Sequence, residues 1–108
     1  MTVKPVGQYW EQRAEHFLMQ HGLQLITRNF STPAGEIDLI MRDTDCVAFI
    51  EVRYRGSTRF GSAIHSVTAA KQRKLKRCAA LFVNRQTAWS HHPCRFDVIA
   101  YDAPDGDV

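Results

Sequence analysis

The chain has 108 residues, 44% hydrophobic and 23% charged, with a net charge of +3. That is the length of a single domain, spanning 1–108, and the composition of a folded chain rather than a disordered one. No apolar run approaches the roughly 18 residues of a membrane span. The opening MTVKPVGQYW lacks the apolar core of a secretory signal. The three cysteines, Cys46, Cys78 and Cys94, have neither an even count nor CxxC spacing. A disulfide framework and a zinc ribbon are therefore not expected, and the reducing cytoplasm is the expected compartment.

The elements follow in order. Pro5 to His21 reads as a helix, with Pro5 in the first turn, Gly22 as its stop, and an apolar stripe of Val6, Trp10, Ala14, Phe17 and Leu18. Leu23 to Phe30 reads as a strand, and Ser31 to Gly35 as a turn cluster. Glu36 to Arg42 and Cys46 to Tyr54 read as two further strands around a tight turn at Asp43-Thr44-Asp45. Residues 55–65 form a Gly/Ser/Arg loop. Thr68 to Asn84 reads as a second helix with Thr68 at its N-cap and Ala70, Leu75, Cys78, Ala79 and Phe82 as its buried stripe. Cys94 to Asp102 reads as a last strand, and 103–108 as a frayed tail. The order is α-β-β-β-α-β, an α/β domain.

Charge is distributed unevenly. From Val52 to Phe96 there are ten basic residues and no acid, while the remainder carries four basic residues and all eleven acids. Such asymmetry points to an anionic partner, nucleic acid before a membrane surface, since few large apolar residues oppose these charges. A solvated helix face with loop arginines is the plainer reading.

The two central strands hold the chemical signal. With Thr44 and Asp45 as the loop, Ile37 faces Val52, Leu39 faces Ile50 and Met41 faces Ala48, an apolar face for the core. The other face pairs Ile40 with Phe49, Asp38 with Glu51 and Glu36 with Arg53. Directly opposed carboxylates destabilise a sheet. Either one takes a proton, a cation sits between them, or the register differs. Oxygen-only ligation suits Mg²⁺ or Mn²⁺, and Arg53 on the same face would hold an anionic substrate. An ordinary ion-pair cluster is the competing reading.

GEIDLI (Gly35 to Ile40), FIEVRYR (Phe49 to Arg55), Phe60-Gly61, SVTAAKQRKLKRCA (Ser66 to Ala79) and CRFDVIA (Cys94 to Ala100) follow one another in a fixed order. Together they closely resemble the YraN-like family of small bacterial proteins, in the PD-(D/E)XK nuclease superfamily. The resemblance runs from about Tyr9 to Tyr101. It implies a restriction-endonuclease-like core, with a mixed central sheet flanked by helices. It also implies phosphodiester hydrolysis assisted by a divalent metal, with branched DNA as the substrate shape of the junction-resolving relatives. By resemblance Asp38 and Glu51 are the motif acids that bind the metal, and Glu11 is a further acid completing the site. Arg53 stands where the superfamily places Lys, and Gln72 opens the second helix where related nucleases place a polar site residue. Arg is always protonated and cannot act as a base, although it can position water or neutralise a phosphate.

Other residues carry weaker signals. Glu36 is expected to pair with Arg53 or to flank the site. Lys71 and Lys74 are expected phosphate contacts. Arg55 and Arg59, interleaved with Tyr54 and Phe60, suit unpaired nucleic acid. His91, His92 and Cys94 do not have zinc-ligand spacing. The expectation is a metal-dependent nuclease acting on DNA or RNA, DNA first. A non-catalytic nucleic-acid-binding module on the same fold is the alternative, and a protein-interaction factor a third. Oligomeric state is left open, a homodimer included.

Overall fold

The computed structural model describes residues 6–56 and 61–102. Arg59, Phe60 and the tail 103–108 lie outside the described residues. Helix α1 spans Val6–Gln20, followed by strands β1 (Gln24–Thr32), β2 (Gly35–Asp43) and β3 (Cys46–Arg55). Helix α2 (Ala69–Arg85) then leads to β4 (Cys94–Asp102), with single 3-10 turns at Ile64–Ser66 and Thr87–Trp89. The α-β-β-β-α-β order of the sequence reading holds.

The four strands form one mixed sheet in the order β1-β2-β3-β4. The first two neighbouring pairs are antiparallel, and β3 with β4 is parallel. A parallel neighbour requires a crossover, and α2 supplies it. The expected hairpin register is the one observed, with Leu39 opposite Ile50, Ile40 opposite Phe49 and Met41 opposite Ala48. Thr44 takes φ 55 in the two-residue turn.

Both sheet faces are buried. Leu39, Met41, Ala48, Ile50 and Val52 pack with Ala14 and Leu23 on the α1 side. Ile40, Val47 and Phe49 pack with Leu75, Cys78, Ala79 and Phe82 on the α2 side. Ile37 joins the α2 side rather than lying with Leu39 and Val52 as expected. Ile37 and Ile40 therefore share a face at an interval of three, and strict alternation fails at Asp38.

Local chemistry sets the ends of the helices. Leu23 N–H donates to Leu18 O (3.1 Å) and Gly22 N–H to Met19 O (3.1 Å), a Schellman closure. Gly22 sits at φ 91, where a side chain is strained. The Thr68 hydroxyl accepts from Lys71 N–H (3.3 Å) and caps α2. Two residues of the expected stripes do not face the core. Phe17 is 48% exposed and stacks on His21 along the helix's own surface, and Ala70 is exposed. The expected turn at Ser31 to Gly35 shortens to Pro33-Ala34, because β1 runs on to pair Thr32 with Gly35. No helix among the described residues is long and apolar enough to cross a membrane.

Candidate functional site

The β2–β3 ladder runs from the hairpin turn as far as Leu39 opposite Ile50. Just beyond it, Val52 N–H donates to Asp38 Oδ2 at 2.8 Å. A side chain thus takes up a backbone donor where the ladder gives out, and this turns the Asp38 carboxylate toward β3. Glu51, next to Val52, is only 7% exposed. Its carboxyl is pushed up to about 8, first by burial, then by its hydrogen bond with Asp38 and the Asp38 charge. Arg53 and Lys71 pull in the opposite direction. The sequence-level choice between a shared proton, a bridging cation and a different register is now narrower. The register is as read from the turn to Leu39 opposite Ile50 and gives out before Asp38, and without a cation Glu51 keeps its proton beside Asp38.

Glu11 enters from α1. Trp10 fixes that part of the helix, stacked on Tyr54 (ring centroids 4.5 Å apart) and tilted against Tyr101 (4.6 Å), with the Arg13 guanidinium 5.0 Å over its ring. Glu11 is pushed up to about 7 by burial first and then by the charges of Asp38 and Glu36. With its amide oriented to donate, Asn29 lies 2.8 Å from Glu11 Oε1 and 3.1 Å from Glu36 Oε1. Asn29 has φ 51 in the middle of β1, a conformation that Asn tolerates better than most residues. Asn29 is absent from the sequence-level set. Its only signal was an Asn inside a run of good strand formers.

The positive side of the site comes from β3 and α2. Arg53 Nη2 lies 3.3 Å from Glu51 Oε2, so Arg53 pairs with Glu51 and not with Glu36. Glu36 instead accepts from the Ser31 hydroxyl at 3.1 Å. Arg53 Nε is buried with no hydrogen-bond partner, a donor that an anionic oxygen would satisfy. Arg53, Arg55 and Lys71 line an open recess of about 420 Å³ with Tyr54 and Ser66.

The remaining sequence-level residues divide. Gln72 is not brought to the acids. Its amide donates to Val67 O at 3.2 Å, and its side chain lines a separate groove with Phe49 and Val98. Lys74 is exposed and its Cβ faces Gly35 at the β1–β2 turn. Cys78 is buried, its sulfur 3.2 Å from the Thr32 hydroxyl. Among the described residues, no three of His, Cys, Asp and Glu stand close enough to form a finished metal cage.

Residues 10–101 match the model of uncharacterised protein family UPF0102. The chain belongs to the UPF0102 family. It is 50% identical over 95 residues to a UPF0102 protein of Stutzerimonas stutzeri strain A1501, covering 84% of this chain and 79% of that protein. It is 48% identical over 94 residues to a UPF0102 protein of Pseudomonas putida strain W619, covering 87% and 76%. A UPF0102 protein of Photobacterium profundum matches at 46% over 103 residues, covering 94% and 82%. The matched stretch of the UPF0102 chain contains Glu11, Asn29, Asp38, Glu51, Arg53 and Lys71.

Proposed function

We propose that this UPF0102 chain is a divalent-metal-dependent nuclease of the PD-(D/E)XK kind, cleaving phosphodiester bonds in nucleic acid, DNA first, in the cytoplasm. The observation that carries the reading is the juxtaposition of half-buried Asp38 and buried Glu51, whose carboxyl hydrogen-bonds with Asp38, with a recess lined by Arg53, Arg55 and Lys71. The proton that burial keeps on Glu51 is what a divalent cation would displace. Mg²⁺ is commonly held by one or two carboxylates together with water and substrate phosphate, so the absence of a finished three-residue cage is compatible with it. Asp38 and Glu51 would hold the ion, with Glu11 behind them. When bound, it would supply Lewis acidity and an activated water.

The chain's own groups have separate tasks. Arg53 and Lys71 bind and orient the phosphate, and the orphaned Arg53 Nε donates to a phosphoryl oxygen. Asn29 holds the Glu11 carboxylate. Neither Gln72 nor Lys74 has a task in this arrangement beyond the backbone grip that Lys74 would add. The test is a panel of labelled single strands, duplexes, flaps, four-way junctions and RNA, incubated with Mn²⁺ or Mg²⁺. Cleavage by the wild type that is lost in Asp38→Asn and on chelation supports the reading. Absence of cleavage on every substrate with either ion overturns it.

One observation favours the second reading, a binding module without catalysis. Arg53 Nη2 lies 3.3 Å from Glu51 Oε2, and so competes with a metal for one of the carboxyl groups it would need. That reading expects shifted bands that ignore both chelator and Asp38→Asn.

A further inference from the structure

The pleat of the sheet reverses along one rung. In β2, Leu39 packs on the α1 side and Ile37 on the α2 side, although residues two apart in a regular strand share a face. β1 does the same. Arg28 reaches Glu15 of α1 (Nη2 to Oε2, 2.8 Å), while Phe30 packs edge to face with Phe82 of α2 (ring centroids 5.3 Å apart). Arg28 pairs with Leu39 and Phe30 with Ile37, so the rung between them carries Asn29 and Asp38. Both strands change face there. Asn29 takes φ 51 on that rung. Its side chain is exposed, so core packing does not impose the conformation.

The reversal decides where Glu36 lies. Unbroken alternation in β2 would carry Glu36 to the same face as Ile40, where the sequence pattern sets it opposite Arg53. Because Ile37 turns to the α2 side, Glu36 turns to the α1 side, the face from which Glu11 enters. There a chain of hydrogen bonds links β1 to both acids. Ser31, opposite Glu36 in the ladder, donates its hydroxyl to Glu36 Oε2 at 3.1 Å. Asn29, with its amide oriented to donate, reaches Glu36 Oε1 at 3.1 Å and Glu11 Oε1 at 2.8 Å. A primary amide has two N–H groups, one for each carboxylate, and adds no charge. It therefore ties together two groups that repel each other, and Glu11 feels the charges of both Asp38 and Glu36.

We propose that Glu36 and Asn29 are a positioning pair for Glu11, serving the divalent cation of the metal-site reading, on which this rests. Glu36, tied to the ladder through Ser31, fixes the Asn29 amide, and the amide fixes the Glu11 carboxylate beside Asp38. Glu36 is an anchor and not a ligand, because both its oxygens are engaged by neutral donors. The left-handed Asn29 backbone is part of the same arrangement, since a regular rung would put Glu36 on the other face. Holding Glu11 in place before the cation arrives removes the entropy cost of ordering it on binding.

The probe is Mn²⁺ alone, followed by the loss of its free-ion EPR signal, with no nucleic acid present. Asn29→Gly removes the amide, leaves the charge unchanged and accepts the left-handed backbone. It is expected to weaken Mn²⁺ binding about tenfold or more, as loss of a group that orients a ligand does, with unchanged circular dichroism. In a Glu11→Ala background, where Asp38 and Glu51 still hold the ion, the same change should have no effect, because nothing is left to position. Glu36→Ala should weaken Mn²⁺ binding more in the wild type than in Asn29→Gly, where only its charge still counts. Asn29→Ala, which lacks the amide and also resists the left-handed backbone, should unfold at lower urea than Asn29→Gly. A wild type that binds no Mn²⁺ overturns the metal reading and this proposal with it. If the wild type binds, the proposal alone is overturned by Asn29→Gly binding as the wild type does or by an equal loss without Glu11. It is likewise overturned by a Glu36→Ala loss that is the same with and without the amide. Asn29→Ala as stable as Asn29→Gly overturns the part given to the backbone.

Discussion

Glu51 keeps its proton up to about 8 and Glu11 up to about 7, in both cases chiefly through burial, with the neighbouring Asp38 adding to it. Glutamate in an unfolded chain gives its proton up near 4.5. Between those limits the folded state binds more protons than the unfolded, so stability falls as pH rises through the interval. The urea midpoint of the metal-free protein is therefore expected to drop between about pH 5 and pH 8.5, the span over which these groups lose their protons. Glu51→Gln should flatten most of that drop and stabilise the protein at the alkaline end by roughly 1–3 kcal/mol, the usual cost of a poorly compensated buried group. Millimolar Mg²⁺ should raise the alkaline midpoint of the wild type and leave the variant unmoved. A midpoint that rises with pH would contradict the raised Glu51 and Glu11 carboxyls. Arg53 acts in the opposite sense on Glu51, so Arg53→Ala should make the pH dependence steeper, and the same urea series checks it.

Helix α1 shows how an element delivers one side chain. Trp10 lies between Tyr54 near the end of β3 and Tyr101 near the end of β4, and Glu11 follows it in the chain. Trp10→Ala is expected to cost about 3 kcal/mol by urea unfolding, at the low end for such truncations because the ring is only partly buried. It should also bring Glu11 back toward ordinary glutamate behaviour, readable by NMR titration. At the other end of the helix, Gly22→Ala meets open space but forces φ 91 on a residue with a Cβ, a cost of about 1–2 kcal/mol by the same measurement. Both helix ends were legible in the sequence because Gly and the Thr68 cap act locally. The buried faces were less so. Continued one turn back from Leu75 and Cys78, the buried stripe of α2 arrives at Lys71 and not at Ala70. Apolar character favours Ala70, but position selects Lys71, which is half-buried and felt by Glu51.

Across the whole molecule, a basic stretch of ten charges is folded against an acidic remainder. If nucleic acid binds across α2 and the recess, log K should fall linearly with log salt concentration. Lys71→Ala and Lys74→Ala should each reduce that slope by about 1, with little change in sequence preference. A filter-binding series between about 50 and 200 mM salt measures both. A slope that neither change alters would place the contact elsewhere. The same scale explains why the hairpin face carrying Ile40, Val47 and Phe49 is fully covered. The β3–α2–β4 crossover lays α2 on it while α1 covers the other face, and a sheet with a parallel pair is buried on both sides.

The sequence by itself determined the element order, the helix ends and the hairpin register from the turn to Leu39 opposite Ile50. Each of these depends on residue period and turn chemistry within a few positions of chain. The tertiary structure alone decided that Ile37 leaves the α1 face, that Asn29 bridges Glu11 and Glu36, that Arg53 turns to Glu51, that Gln72 faces another groove, and that Glu51 feels the charge of Lys71. Those outcomes follow from how two helices dock on a twisted sheet whose ladder gives way at Asp38. Docking is a sum over long-range apolar contacts, and no local spacing encodes it.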